Sequence, residues 1–223
     1  SKFGRRKTLV YNKSNKHEKL NATLRMSMKR TLGDNDGFRD AVLLPHGEDL
    51  NEWLAMNTAE IAEAASLVWA QCEVICVPSI CPTMSAGTKA SYLWSNDGKS
   101  KPKVVSASEY INNVFDWVQS ELDNEEIFPV SEEEKFPRNF QKHVAMIIKR
   151  LFRLYSHVYF SHFEELRNQG FEAHLNTCFK HLTFFLMEFK LVNAKELIPL
   201  RSLIKKFMSS STYDDYKNVQ SIV

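Results

Sequence analysis

Cys76 and Cys81 stand five positions apart, and His157 and His162 repeat that interval 76 positions beyond the second cysteine. Two thiols and two imidazoles complete a tetrahedral donor set for zinc, and four protein ligands leave no position for a reactive water. Such a centre braces a fold. The long separation excludes a compact zinc finger, so the metal would clamp a loop carrying the cysteines onto a helix carrying the histidines. A buried thiol pair with two helix-surface imidazoles is the alternative reading of the same residues. Residues five apart on an ideal helix point about 140° away from each other, so a joint site needs local loosening of the helix or compensating rotamers.

With 223 residues, 43% hydrophobic and 25% charged, the chain is long enough to bury one sizeable core. No apolar run reaches membrane-spanning length, and the polar, basic N-terminal stretch lacks the apolar block of a signal peptide. The expectation is an intracellular, reducing location without integral membrane association. There the cysteines are metal ligands or thiols rather than a disulfide framework, and Cys72 and Cys178 read as packing thiols. The net charge of +2 hides an asymmetry: the first thirty residues hold ten of the 29 Lys and Arg and only Glu18 of the 27 acids. The remainder keeps 19 bases against 26 acids, so a +9 arm precedes a −7 body.

Hydrophobic periodicity predicts mostly helix. Leu20, Leu24 and Met28 suggest a short helix, and a longer helix is expected from near Asn57, capped with Glu60, burying Ile61, Ala65, Val68, Trp69 and Cys72. Pro78 to Gly87 reads as loop, and Tyr92–Trp94 with Lys103–Val105 around Asn96-Asp97-Gly98 as a small hairpin, the only sheet expected. Ser106 and Glu109 form a capping box. A central helix from about Asn139 to Arg167 presents Val144, Ile147, Ile148, Leu151, Phe152, Tyr155 and Val158 on one face and carries both histidines. Leu175 to Phe189 is a buried segment, Asn193 with Glu196 caps a shorter element, and Pro199 starts a last helix. The expected fold class is mostly α: a single-domain helical bundle around a long central helix, with a small β-hairpin and one structural zinc site. Residues 1–32 form the basic arm with its short helix, 33–208 the domain and 209–223 a disordered tail.

Several function classes fall away. The chain has no His-Glu-x-x-His helix, no Gly-x-Ser-x-Gly elbow and no phosphate-binding glycine loop, so an enzyme is not expected. A zinc-stabilised nucleic-acid-binding module is the alternative suggested by Arg5, Arg6, Lys7, Lys13, Lys16 and Lys19, and the acidic body argues against it.

Some motifs are more specific. Gly47-Glu48-Asp49-Leu50-Asn51-Glu52-Trp53, Cys81-Pro82, Met84-Ser85-Ala86-Gly87, Lys149-Arg150-Leu151-Phe152-Arg153, His174-Leu175-Asn176-Thr177 and Phe179-Lys180-His181 occur in this order. Over about Thr31 to Met208 the chain resembles the Mob (Mps-one-binder) kinase activators, of the group closest to the Hippo-pathway and mitotic-exit coactivators. The resemblance implies a non-catalytic, mostly helical, zinc-containing adaptor for NDR/LATS-type AGC kinases, cytoplasmic, nuclear or at spindle poles, with Cys76, Cys81, His157 and His162 as metal ligands. It places Glu48, Asp49, Glu52 and Trp53 on or near the kinase-binding surface, with Glu60 and His181 in the same set. It places a phosphopeptide pocket at Lys149, Arg150 and Arg153, where MST/Hippo-type kinases or phosphorylated scaffolds dock. It aligns Thr8 and Thr31 with phosphorylation positions that release a covering N-terminal segment. By residue type alone, the acids and the three bases read first as solvated helix faces, and it is the resemblance that reverses this preference.

Overall fold

The helical core begins at α1 (Asn35–Val42) in a computed structural model that describes residues 35–88, 90–95, 101–131, 133–208 and 216. It continues through α2 (Leu50–Cys72), a two-stranded sheet of β1 (Ser85–Ala86) and β2 (Ala90–Ser91), α3 (Ala107–Leu122), α4 (Phe140–Ser161), α5 (Phe163–Asn168) and α6 (Glu172–Glu188). A 3₁₀ turn at Ile198–Leu200 leads into α7 (Arg201–Phe207). The expected class is what is found. The basic arm, its short helix, Thr8, Thr31 and the Asn96-Asp97-Gly98 turn lie outside the described residues.

Helix α4 is the hub, packing against α2, α3, α6 and β1. All seven residues of its expected apolar face are buried, each contributing about 2 kcal/mol of transfer free energy. Phe152 and Tyr155 meet the Phe179 ring of α6 at centroid distances of 6.0 and 5.6 Å.

Four expectations need correction. Helix α2 starts seven residues before Asn57: Asp49 is its N-cap, accepting from the backbone N–H of Asn51 (2.8 Å) and Glu52 (3.1 Å). Asn57 is instead buried within it and donates back to the Trp53 carbonyl at 2.9 Å, as Thr58 does to Leu54 at 2.6 Å. These i−4 bonds give the Asn57 amide N–H and the Thr58 hydroxyl a partner in the interior, and 53–59 is buried all round and shows no stripe to read. The central helix stops at Ser161, because His162 takes φ −136° and ψ 7°, and α5 starts after it at Phe163.

The sheet also differs from expectation. Ser85–Ala86, read as loop, pairs antiparallel with Ala90–Ser91, while the expected hairpin contributes one antiparallel bridge between Trp94 and Lys103. Gly87 turns between the strands at φ +66°. Within the tail expected to be disordered, Tyr216 is buried, and its hydroxyl donates to the Val192 carbonyl. Asn193 does cap a turn, accepting from Lys195 and Glu196 N–H at 3.0 and 3.3 Å.

Candidate metal centre and flanking charged surfaces

The cysteine loop follows directly from the end of α2, where the Cys72 carbonyl accepts from Ile75 and Cys76 N–H at 3.0 and 2.8 Å. A turn then returns Cys81 N–H to the Val77 carbonyl at 2.9 Å, and the Cys81 carbonyl accepts from Ala107 N–H at 3.0 Å, tying the loop to α3. His157 comes from the last full turn of α4, and His162 from the break after it. The break resolves the angular problem of two histidines five apart. All four residues are buried, and one donor atom of each lies within 4.8 Å of the others; among the described residues this is the one such cluster.

The donor set fits a tetrahedral ion. Bonds of zinc's usual length would put neighbouring sulfur and nitrogen about 3.6 Å apart. Cys76 Sγ lies 3.4 Å from His157 Nε2, and Cys81 Sγ lies 3.5 Å from His162 Nε2. The Ser85 carbonyl of β1 lies 2.8 Å from His157 Nδ1, which fixes the proton there and turns Nε2 inward as a lone-pair donor. Burial pushes the Cys76 thiol up, with the adjoining Cys81 adding to it, and Cys81 is also raised, chiefly by burial. Burial lowers His157 to about 4 and lowers His162, so both rings are neutral near pH 7. Two thiolates need a cation between them, and neutral imidazoles are ready to share it. Cys72 and Cys178 are buried elsewhere as free thiols, both raised to about 12 with burial as the leading cause.

One turn before His157, Arg153 projects toward the turn after α6. Its Nε donates to Glu196 Oε2 at 3.2 Å and its Nη2 to Oε1 at 2.9 Å, a two-point fork, while Lys149 Nζ approaches Oε1 at 3.3 Å. The third nitrogen, Nη1, donates to the Tyr110 hydroxyl at 3.4 Å, and the Tyr92 ring lies 5.0 Å from the guanidinium carbon. Burial works against both charges of the pair. The Glu196 hydrogen bond and charge more than restore the Arg153 cation, and Arg153 with Lys149 holds the Glu196 carboxyl below its ordinary value. Both Arg153 and Glu196 line a cleft of about 560 Å³.

Arg150 does not join them. Its guanidinium sits 4.6 Å from the Trp94 ring and 4.1 Å from the Trp117 ring and donates through Nη2 to the Ser95 carbonyl at 3.2 Å. Two of the three expected bases therefore converge, and the third is held in an aromatic clamp.

The acidic candidates gather at the start of α2. Glu48 follows a turn with Gly47 at φ +83°, Asp49 caps the helix, and Glu52 lies in its first turn. Leu43, Leu44 and Leu50 are exposed beside them in the chain at 41, 38 and 36%. Glu60 and Glu63 are partly exposed further along. Trp53 and His181 are not on a surface, with exposures of 3% and 2%. The Trp53 indole N–H donates to the Val42 carbonyl at 3.0 Å, joining α1 to α2 from beneath the acidic edge.

Glu196, Tyr92, Tyr110, Trp94 and Trp117 went unrecognised in the sequence as partners of the bases. A carboxylate 43 positions from Arg153 carries no local signal, and nothing in the sequence marks the four aromatics as partners of a cation.

Known proteins are similar to this chain over most of its length. The profile of the Mob1/phocein family matches residues 29–200. MOB kinase activator-like 1 homolog B of Dictyostelium discoideum is 50% identical over 186 residues, covering 82% of this chain and 85% of its own. MOB kinase activator-like 2A of Arabidopsis thaliana is 44% identical over 202 residues, covering 89% and 92%. Arabidopsis MOB kinase activator-like 1A is 45% identical over 189 residues, covering 84% and 87%. With its helical hub, its buried Cys and His donors and these relatives spanning most of its length, the chain belongs to the Mob1/phocein family.

Proposed function

We propose that this chain is a non-catalytic coactivator that binds the basic N-terminal regulatory region of an NDR/LATS-type AGC kinase and docks phosphothreonine of an upstream MST/Hippo-type kinase or scaffold. The observation that carries the kinase reading is the start of α2, where Glu48, Asp49 and Glu52 adjoin three exposed leucines. A basic amphipathic helix complements such an edge, since charge steers and orients while leucines supply apolar contact. Relatives named as kinase activators support the same direction. Lys149 and Arg153, converging beside the cleft, are the phosphate-binding residues in this reading.

Zinc is the ion proposed for the four-donor cluster, held by Cys76, Cys81, His157 and His162. When bound it supplies charge compensation for two thiolates and no open coordination position. The ligands' role is to pin the cysteine loop and β1 to the end of α4. The +9 arm, with Thr8 and Thr31, is proposed to compete with the kinase for the acidic edge until phosphorylation weakens it.

Titrating the chain with a kinase peptide spanning the basic regulatory helices tests the reading. Joint Glu48→Lys and Glu52→Lys substitution should abolish binding while leaving the helical circular dichroism unchanged. Wild-type affinity in that variant would sink the proposed surface. Removing residues 1–30 should tighten binding, and equal affinities would rule out competition by the arm.

A further inference from the structure

The basic pair of α4 already holds an anion. Glu196 takes two nitrogens of Arg153 and the ammonium of Lys149 in the arrangement by which a fork and a point charge hold a phosphate, and Tyr110 engages the remaining guanidinium nitrogen. Its position is built, because the Asn193 side chain caps the turn that carries it. The side chains of Lys149, Arg153 and Glu196 are about one-fifth exposed, at 20, 21 and 18%, so water reaches the cluster from the cleft.

We infer that Glu196 is a built-in competitor that sets the affinity threshold of the phosphate site, a conclusion that rests on Lys149 and Arg153 being that site. An incoming phosphate monoester must displace the carboxylate from the fork or bind beside it against like-charge repulsion. The carboxylate is tethered, so it competes at an effective concentration in the millimolar range or above. A free monoanion brings the same charge as Glu196 without the tether and does not win the exchange. A phosphate monoester carries about −1.5 to −2 at neutral pH and does. Lys149, Arg153 and Glu196 together present +1, and neutralising Glu196 raises this to +2 without removing a donor. Positioning of Arg153 by Glu196 works in the opposite sense, but Tyr110 and Tyr92 also hold that guanidinium. The charge effect therefore decides the sign.

The experiment titrates N-acetyl-phosphothreonine amide, with its unphosphorylated form as control, into wild type and Glu196→Gln, Glu196→Ala and Glu196→Asp variants. Binding is followed by NMR shifts and folding by thermal melts. Gln and Ala should each tighten phosphothreonine binding about tenfold, Asp should stay near wild type, and the unphosphorylated form should bind none of them. The Gln variant should melt lower than wild type while binding tighter, an opposition that a merely structural residue would not produce. Unchanged or weaker binding by Gln and Ala, with wild type binding, overturns the competitor and leaves the phosphate site standing. Absence of binding by every protein overturns the site and the competitor together, whereas binding by Gln and Ala alone supports both.

Discussion

Two clusters one turn apart on α4 solve the same problem differently. At Cys76, Cys81, His157 and His162, buried donors face one another without a counter-charge, and their chemistry calls for an ion from outside. At Lys149 and Arg153 the chain supplies its own counter-ion, Glu196. The first is complete only when something arrives and is then closed. The second already holds its counter-ion and, in the proposed reading, opens only when a stronger anion competes. The proposed brace and the proposed reversible site thus differ in whether the balancing charge is foreign or tethered, although both draw residues from the same helix.

The largest effect is expected from Cys81→Ser. It removes a soft ligand, and metal analysis should fall from about one zinc per chain to none. Stability should drop by about 5 kcal/mol or more, seen as a melting temperature at least about 10 °C lower. A Cys81→Ser protein that melts with wild type would break the comparison at its closed end.

His181 is the next test, a buried imidazole with neither a donor set nor a counter-charge. Its Nε2 has no hydrogen-bond partner, and burial lowers its pKa from 6.5 to about 4. Between those values the unfolded chain binds the proton more tightly, so stability rises with pH across that window and is lost as pH falls through it. The loss amounts to about 3 kcal/mol. Urea unfolding of wild type and His181→Gln at pH 4.5 and 7 should show the shallower pH dependence in the variant, and parallel curves would refute the assignment.

Glu196→Gln sharpens the tethered end. The folded carboxyl is depressed by Arg153 and Lys149, so its contribution is present above its ordinary value of 4.5 and disappears as pH falls through the folded value. The variant should be less stable by about 1–2 kcal/mol at pH 7, and the gap should shrink below about pH 4. A gap that persists unchanged in acid would mean that packing, not charge, is lost.

The smallest effect concerns the link between the clusters. Gly87 follows β1, whose Ser85 orients His157, and a Cβ there would lie 3.0 Å from Phe160 Cε1 with the backbone at φ +66°. Gly87→Ala should cost about 1 kcal/mol and lower zinc affinity measured against a competing chelator. Unchanged affinity would show that β1 does not position the ligand.

Legibility followed the range of the signal. The α4 face was visible because a 3.6-residue period persists over about four turns, and the Ser106 cap because its partner, Glu109 N–H at 3.2 Å, is three residues away. The start of α2 was misplaced because Asn57 and Thr58 look like boundary residues until their side chains are seen bonding the preceding turn. The β1–β2 pair was invisible because two-residue strands carry no alternation. Trp53 and His181 looked like surface residues because of the motifs they sit in, yet the indole needs the Val42 carbonyl and both side chains lie inside.

By itself the sequence determined the helical class, the hub helix and the four soft donors, since residue chemistry and short periods survive without coordinates. It also set the two charge-bearing segments. The tertiary structure alone decided that the histidines meet across a helix break, that Arg150 turns to two tryptophans, and that Glu196 closes on Lys149 and Arg153. The last two are contacts between residues distant in sequence, and the first depends on where a helix stops, which no short period in the sequence records.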